Sequence, residues 1–502
     1  MKKLQFMAWP KLCTAVLLGA AALFTASCAR DGFDNDEKFE SSVRNQQLAN
    51  PAEDDITIEP TTDRKQTHIK WKVVNGASRY ECKVYNITDG QNEVILDSIV
   101  DGVDFYIPRV RNTEYRFTIH TLANTSLGNT SPSGVTTKDF DALLEIYATI
   151  DDPEHGTSAD DPINLNEYFY HNPIPTNLDL SEFNFNLVSG KYYSVGQEDP
   201  ESTIPSELKF TIAKPVMLRS EDETMKAHII MKGDAGFVPS AEFTLEGLDI
   251  TCSSTSKALV ALSSEPLSAL KSDKDYYIVN GISISGCDIH GLTGSLVYAN
   301  KKEYWIISLN IDNSLIELAS VTDNLKDQTL ISLTGANYSG AKDFNMNNCT
   351  VYQTGEGTVG YFLRYGNNAR VDRPSSQWTN SDHTNINYTY NTFYKLACTW
   401  GNYNQFANYT LYQIVGNIWY ESGKDGNLDY IIGGRRYGTN SEAKWNLNTY
   451  WYNNADASAT TTKDDGTKLT TDPNFVNPAD GDFTPQGAEQ VANKAGDQRW
   501  YK

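Results

Sequence analysis

The sequence is short of cations, of paired cysteines and of helical stretches. Lysine and arginine number 42 against 64 aspartates and glutamates, a net charge of −22. That deficit argues against nucleic acid or an anionic membrane surface as a partner. A polyanionic ligand would need a local basic groove. Cysteine is scarce, with 7 in 502 residues and no Cys-x-x-Cys. Beyond Cys13 and Cys28, the remaining Cys82, Cys252, Cys287, Cys349 and Cys398 are odd in number and far apart. Such spacing argues against zinc and shows no disulfide framework. These thiols read as small buried hydrophobes, with Cys252 and Cys287 left open as a pair. No long Ala/Leu/Glu/Lys stretch marks a helical domain. What is present is 29 Tyr, 9 Trp and 34 Gly, the make-up of a β-rich exported chain with length for two or three domains.

The N-terminus carries a leader. Lys2, Lys3 and Lys11 precede an apolar run from Thr14 to Phe24, which ends at Ala26-Ser27-Cys28. A basic start, a short apolar core and small residues before the break make a secretory signal over 1–27. Cys28 at the cut resembles a bacterial lipobox of the looser kind found in Bacteroidota lipoproteins, with Thr25 where Leu is usual. That resemblance implies a diacylglyceryl group on Cys28 and a lipid anchor in the outer membrane. Residues 28–52 are polar and acidic, with Asp31, Asp34, Asp36 and Glu37 close behind the cysteine. Such a segment buries too little apolar area to fold and is expected to be a flexible tether. It is similar to the surface-export signal of those lipoproteins, which implies exposure on the cell surface.

Residues 53–140 alternate in period two. Thr67-His68-Ile69-Lys70-Trp71, Arg79 to Tyr85 and Tyr115 to His120 read as strands, with a turn at Asp89-Gly90. The set resembles a fibronectin type III domain. Trp71 matches its core Trp, Tyr80 the aromatic of its third strand, and Tyr115 the Tyr that caps a corner with its hydroxyl. Ser131-Pro132-Ser133 resembles the approach to its last strand. The resemblance implies a spacer or docking module.

From about residue 141 the pattern changes to short strands introduced by Gly or Asn. Examples are Gly247-Leu248, Gly286-Cys287, Asn348-Cys349, Asn391-Thr392, Asn417-Ile418 and Asn448-Thr449. A solenoid coil cannot bury its apolar side chains alone, so coils stack. Each tight corner needs a residue that tolerates left-handed backbone, hence Gly or Asn. Asn side chains can also stack in a hydrogen-bonded ladder. Gly190-Lys191-Tyr192 and Ile230-Met231-Lys232-Gly233 resemble the opening of a pectate-lyase-like right-handed parallel β-helix. The expected fold is all-β: a sandwich, then a β-helix whose N-terminal cap and first coils span 141–240 and whose remaining coils span 241–502. The run Asp472-Pro473-Asn474-Phe475 to Gly481-Asp482-Phe483, followed by Gly496-Asp497-Gln498-Arg499-Trp500, is similar to the closing segment of Bacteroidota β-helix lipoproteins. There it caps the last coil and a tail folds back. The whole chain thus resembles a surface lipoprotein with a fibronectin-like module and a β-helix domain of unknown function.

Chemistry is read from the aromatic-rich stretch between Trp378 and Tyr452. Tyr and Trp offer an apolar face and a polar tip, which suits a sugar ring. Alternation lets only half of those on strands point inward. Phe393, Trp419 and Trp451 are expected in the core. Trp378, Trp400, Tyr403 and Tyr437, in polar loop-like sequence, are the carbohydrate-binding candidates. Arg435, Arg436 and Lys395 are the candidates for a proton-abstracting base, should the chain be a polysaccharide lyase. Asp382-His383 stands alone. Calcium would be needed only by such a lyase; no metal or other cofactor is otherwise expected. The lyase residues do not carry over as a motif, and fold alone does not give function. The expectation is therefore a monomeric, surface-anchored binder of pectin-like or other acidic polysaccharide, serving polysaccharide utilisation. A lyase and a structural adhesin are the alternatives.

Overall fold

The computed structural model describes residues 43–501 apart from 62–65, 91, 111–112, 143–145, 179, 198–201, 223, 272–275, 300–301, 320–328, 335–338, 354–360, 367–383, 397–409, 424–441, 453–463 and 465–466. Two compact units divide between residues 144 and 145.

The first unit holds two antiparallel sheets. One has the order β1 (Ile56–Pro60), β2 (Gln66–Trp71), β5 (Asp104–Pro108). The other has the order β4 (Glu93–Val100), β3 (Ala77–Asn86), β6 (Glu114–Ala123), β7 (Thr136–Asp141). Alternation sends Ile69 and Trp71 from one sheet, and Tyr80, Cys82, Phe117 and Ile119 from the other, into one core. Trp71 meets Tyr80 edge-on at 5.3 Å between ring centroids. The Tyr115 hydroxyl accepts from the Val110 amide at 3.0 Å and closes the chain just before β6.

The segment expected as a free tether is docked over its described end. Leu48 is buried in the sandwich core, and its amide donates to the Thr130 carbonyl at 2.9 Å. Asn50 Oδ1 accepts from the Thr121 amide at 2.8 Å. One apolar side chain and a few well-placed amides order what composition alone assigns to a linker.

The second unit is built of three parallel sheets whose strands alternate along the chain, the arrangement of a parallel β-helix. The first sheet has ten strands from Ala148–Ile150 to Glu442–Asn446. The second has ten, from Ile163–Asn164 to Thr449–Trp451. The third has six among the described residues, from Leu208–Phe210 to Tyr361–Tyr365. Register is kept from coil to coil. In the second sheet Ile250, Ile289, Ile316, Val351, Phe393 and Trp419 form one inward row. All six are fully buried, and each such side chain contributes about 1.5–3 kcal/mol by leaving water. Phe393 and Trp419 stack at 4.1 Å.

Helix α1 (Leu165–His171) lies at the start of the solenoid, where Asn164 caps its first turn through the Asn166 and Glu167 amides. Its Phe169 packs edge-on against Phe185 and Phe210. At the other end Asp464 accepts from Asn448 Nδ2 and the Tyr450 hydroxyl and terminates the stack. Cys252 and Cys287 are both free. Register separates them: Thr251 pairs with His290, so Cys252 lies past one strand's end and Cys287 before its neighbour's start.

Candidate functional site

The corner between the first and second sheets repeats from coil to coil. Its left-handed residue is Gly247, Gly286, Asn313, Asn348, Tyr390, Gly416 and Leu447 in successive coils. The residue after it points inward. In the last three coils that residue is Asn391, Asn417 and Asn448, each fully buried. Asn391 Nδ2 donates to Asn417 Oδ1 at 2.9 Å, and Asn417 Nδ2 to Asn448 Oδ1 at 3.0 Å. Each also donates to a main-chain carbonyl, those of Met346, Tyr388 and Ile414. The ladder expected from sequence is therefore present. The corner role is not theirs: it falls to the residue before, so two of these coils place Tyr390 and Leu447 where Gly or Asn is favoured.

Tyr390 stands out in that column. Its φ is +54°, which for a bulky side chain stores roughly 1–3 kcal/mol. Its ring lies on Gly416 of the next coil, where an added Cβ would come within 2.6 Å of two ring carbons. The residue is 37% exposed. It faces a cleft of about 510 Å³ lined by Asn347, Asn348, Thr389 and Tyr390 on one side and by Ala492, Asn493, Lys494 and Gln498 on the other. The first group ends strands of the first sheet. The second belongs to the C-terminal tail, whose short helix α2 (Ala488–Asn493) ends at Lys494 with φ +48°.

The tail folds back, as its sequence resemblance implies, starting from the last strand, Thr449–Trp451. It runs back across several coils of the second sheet. Gln490 Nε2 reaches Thr449 Oγ1, the Gly496 amide donates to the Gly416 carbonyl, and the Asp497 amide donates to Thr392 Oγ1. Thr350 Oγ1 then donates to Asp497 Oδ2 at 2.9 Å and accepts from the Trp500 indole at 2.9 Å. Arg499 holds Asp497 at 2.7 Å. Burial pushes the Asp497 carboxyl up from its ordinary value, against the pull of Arg499 and Thr350. Phe475 and Phe483 meanwhile pack on Tyr352, Tyr394 and Tyr420, three of the outward aromatics of the second sheet. An outward aromatic row would otherwise lie open to water, and covering it is the tail's physical role.

The sequence-derived candidates fare unevenly. Trp378, Trp400, Tyr403, Tyr437, Arg435, Arg436, Asp382, His383 and the lipidation candidate Cys28 lie outside the described residues. Lys395 is described. It is a left-handed corner residue, φ +57°, leaving the second sheet. Its ammonium lies 5.2 Å from the Tyr394 ring centroid, and it does not line the cleft. Phe393 and Trp419 are in the core as expected. Trp451 is not: register aligns Trp419 with Tyr450, so Tyr450 points inward and Trp451 outward. Tyr388 and Tyr412 are likewise core residues. The sequence reading did not single out Tyr390. Its signal was available: in the corner column it stands where neighbouring coils carry Asn348 and Gly416.

A second polar group sits on the outer face of the second sheet. His228 Nδ1 meets Asp249 Oδ2 at 2.7 Å, and His290 Nε2 meets Asp249 Oδ1 at 3.2 Å. Glu317 lies 3.5 Å from His290 Nδ1, and Tyr192 stacks on His228 at 4.6 Å. Burial would raise the Asp249 carboxyl, but the two histidines hold it below its ordinary value. His290 is raised by its bond to Asp249. Among the described residues no group of His, Cys, Asp and Glu could hold a metal ion. None of the described helices is long and apolar enough to cross a membrane.

Three families match parts of the chain, each described as a domain of unknown function: DUF4992 at residues 5–189, DUF4957 at 201–354 and DUF5123 at 344–500. A search of the curated proteins found no match. A solved structure described as "Structure of FN3tt mut" is similar at 21% identity, over 19% of this chain and 98% of that one, with a TM-score of 0.15.

Proposed function

We propose that this protein is a surface lipoprotein that captures polysaccharide. In this reading Cys28 carries the lipid, the first unit is a fibronectin type III-like module, and the second is a right-handed parallel β-helix that presents the sugar site. Support for the module is its strand order, β1-β2-β5 over β4-β3-β6-β7, with Trp71 in the core and the Tyr115 corner. Support for the anchor is the leader, the Ala26-Ser27-Cys28 step and the acidic residues after it.

The observation that carries the binding reading is Tyr390. A strained, half-exposed tyrosine is held against Gly416 beside a cleft of amides and hydroxyls. An aromatic face takes the CH face of a sugar, while Asn347, Asn348, Thr389, Asn493 and Gln498 offer both donors and acceptors to its hydroxyls. Strain at a binding group is tolerated where the surrounding structure enforces it. The lyase reading has less support. Its base must approach the proton it removes, and Lys395 is turned onto Tyr394 at a corner outside the cleft.

The test is affinity electrophoresis of the full chain, in detergent, through gels laced with a panel of polysaccharides. Retardation by at least one glycan, lost in Tyr390→Ala with an unchanged melting temperature, is expected. Retardation that survives Tyr390→Ala would overturn the site. New unsaturated ends on homogalacturonan, absent with Lys395→Ala, would overturn the binding-only reading. For the anchor, Cys28→Ser should release the chain from the membrane fraction.

A further inference from the structure

The outer face of the first sheet carries an ordered array of amides that the cleft alone does not use. Asn387 Nδ2 donates to Asn345 Oδ1 at 2.7 Å, and Asn345 Nδ2 donates to Asn310 Oδ1 at 2.8 Å. Beside this row Asn385 Nδ2 donates to Asp343 Oδ1 at 2.6 Å. On the other side Asn347 Nδ2 donates to Asp312 Oδ1 at 2.8 Å, and Thr389 Oγ1 donates to Asn347. Three parallel rows therefore cross the coils of strands Tyr304–Asp312, Gly340–Asn347 and Thr384–Thr389. Every member is half-buried. The last row runs into the cleft, because Asn347 and Thr389 line both.

The chemistry of this face narrows what it can hold. Asn345 and Asn347 each spend one N–H and one lone pair on their neighbours and keep one of each for a ligand. Members of one row recur at about 4.8 Å along the axis, the spacing of adjacent strands. Sugar hydroxyls, each donor and acceptor at once, match such a surface. Charge is the second constraint. The charged members of the rows themselves are Asp312 and Asp343; the cations close by are Lys342, beside Asp343 in its strand, and Lys494, in the wall of the cleft. A uronate chain laid along the rows would set its carboxylates against Asp312 and Asp343, at a cost in both repulsion and desolvation. A protein partner would want aromatic and apolar anchors, which these rows do not offer.

We infer that the ligand is an uncharged, extended polysaccharide, with one residue stacked on Tyr390 and the following residues laid over the amide rows of the first sheet. This rests on the glycan-capture reading above. It departs from the pectin-like, acidic ligand that the family resemblance implies. Binding then grows with chain length, since each further sugar gains bonds to another part of the array.

The test uses the full chain in detergent and isothermal titration calorimetry. The probes are cellohexaose, xylohexaose and mannohexaose, their disaccharides, and hexagalacturonate. At least one neutral hexasaccharide should bind, more tightly than its disaccharide, and hexagalacturonate should not. Asn385→Lys combined with Asn387→Lys should weaken the hexasaccharide by about tenfold, the order expected for loss of array hydrogen bonds, and leave the disaccharide unchanged. Asn345→Leu, close in shape and outside the cleft, gives the same comparison should the double variant fail to melt as a folded protein. Preference for hexagalacturonate, or a hexasaccharide affinity untouched by these variants yet lost in Tyr390→Ala, would overturn the array and leave the cleft standing. Binding of none of the probes would overturn the inference, and with no retardation in any gel it would overturn the glycan reading as well.

Discussion

The ring of Tyr390 rests on the bare backbone of Gly416, one coil further along the solenoid. A Cβ built there would stand 2.6 Å from the Tyr390 Cδ1 and Cε1 atoms. Gly416 also has φ +67° and gives its carbonyl to the Gly496 amide at 2.6 Å. One glycine thus sets the seat of the Tyr390 ring, the corner and the path of the tail. Gly416→Ala is expected to lift the Tyr390 ring and abolish retardation in glycan gels. Its stability cost should be about 1–3 kcal/mol, from the left-handed backbone and the clash. A melting curve separates the two effects, because Tyr390→Ala should lose binding at little or no cost in stability.

The Asn ladder predicts a sharp contrast within one motif. Asn417 is fully buried and makes side-chain bonds to Asn391, Asn448 and the Tyr388 carbonyl. Asn417→Ala strands these partners and should cost about 2–4 kcal/mol in urea unfolding. Asn348 sits in the left-handed corner itself, φ +53°. Asn348→Gly should change stability by no more than about 0.5 kcal/mol, since glycine accepts that backbone freely. It should still weaken glycan binding, because Asn348 lines the cleft.

The tail is held by its aromatics. Phe483 is fully buried against Tyr352, Tyr394, Phe475 and Trp500. Phe483→Ala should cost about 3–5 kcal/mol and free the tail. Limited proteolysis after residue 470 should then outpace that of the wild type. Because Asn493, Lys494 and Gln498 form one wall of the cleft, glycan affinity should fall in the same variant.

The carboxylate–histidine row on the second sheet predicts two pH limbs. The Asp249 carboxyl would be raised by burial, but His290 and His228 hold it low. Its stabilisation is present above the ordinary carboxylate value and is lost as pH falls through the lowered one. His290 is raised, chiefly by its bond to Asp249 against burial, with Glu317 and Asp288 adding to it. Its contribution is full below the ordinary 6.5 and is lost as pH rises through the raised value. Melting temperature against pH should therefore show a plateau between the two limbs. Asp249→Asn should flatten both; limbs unchanged in that variant would assign them to other groups.

Much of the architecture was legible in the residues. Strict alternation around Trp71, Tyr80 and Tyr115 specifies a sheet with one buried face, because a strand's side chains have a period of two. Recurring Gly or Asn before short apolar strands specifies stacked coils, because only such residues turn the corner cheaply. Even Asn391, Asn417 and Asn448 could be read as a ladder from spacing alone. What resisted reading was one residue of register: whether the Asn or its predecessor makes the corner, and whether Tyr450 or Trp451 faces in.

Sequence by itself determined that this chain folds into β-structure, stacks its coils and places aromatics densely near its C-terminal end. Those properties follow from local pattern and need no partner. Tertiary structure alone decided which aromatics meet water. Tyr394 and Tyr420 point outward from their strands, yet Phe475 and Phe483, far along the chain, cover them. Tyr390, no more conspicuous in the sequence, stays open because its neighbour across the coil is a glycine and the tail stops at the far wall of the cleft. Contacts between residues distant in sequence set that outcome, and no local period encodes them.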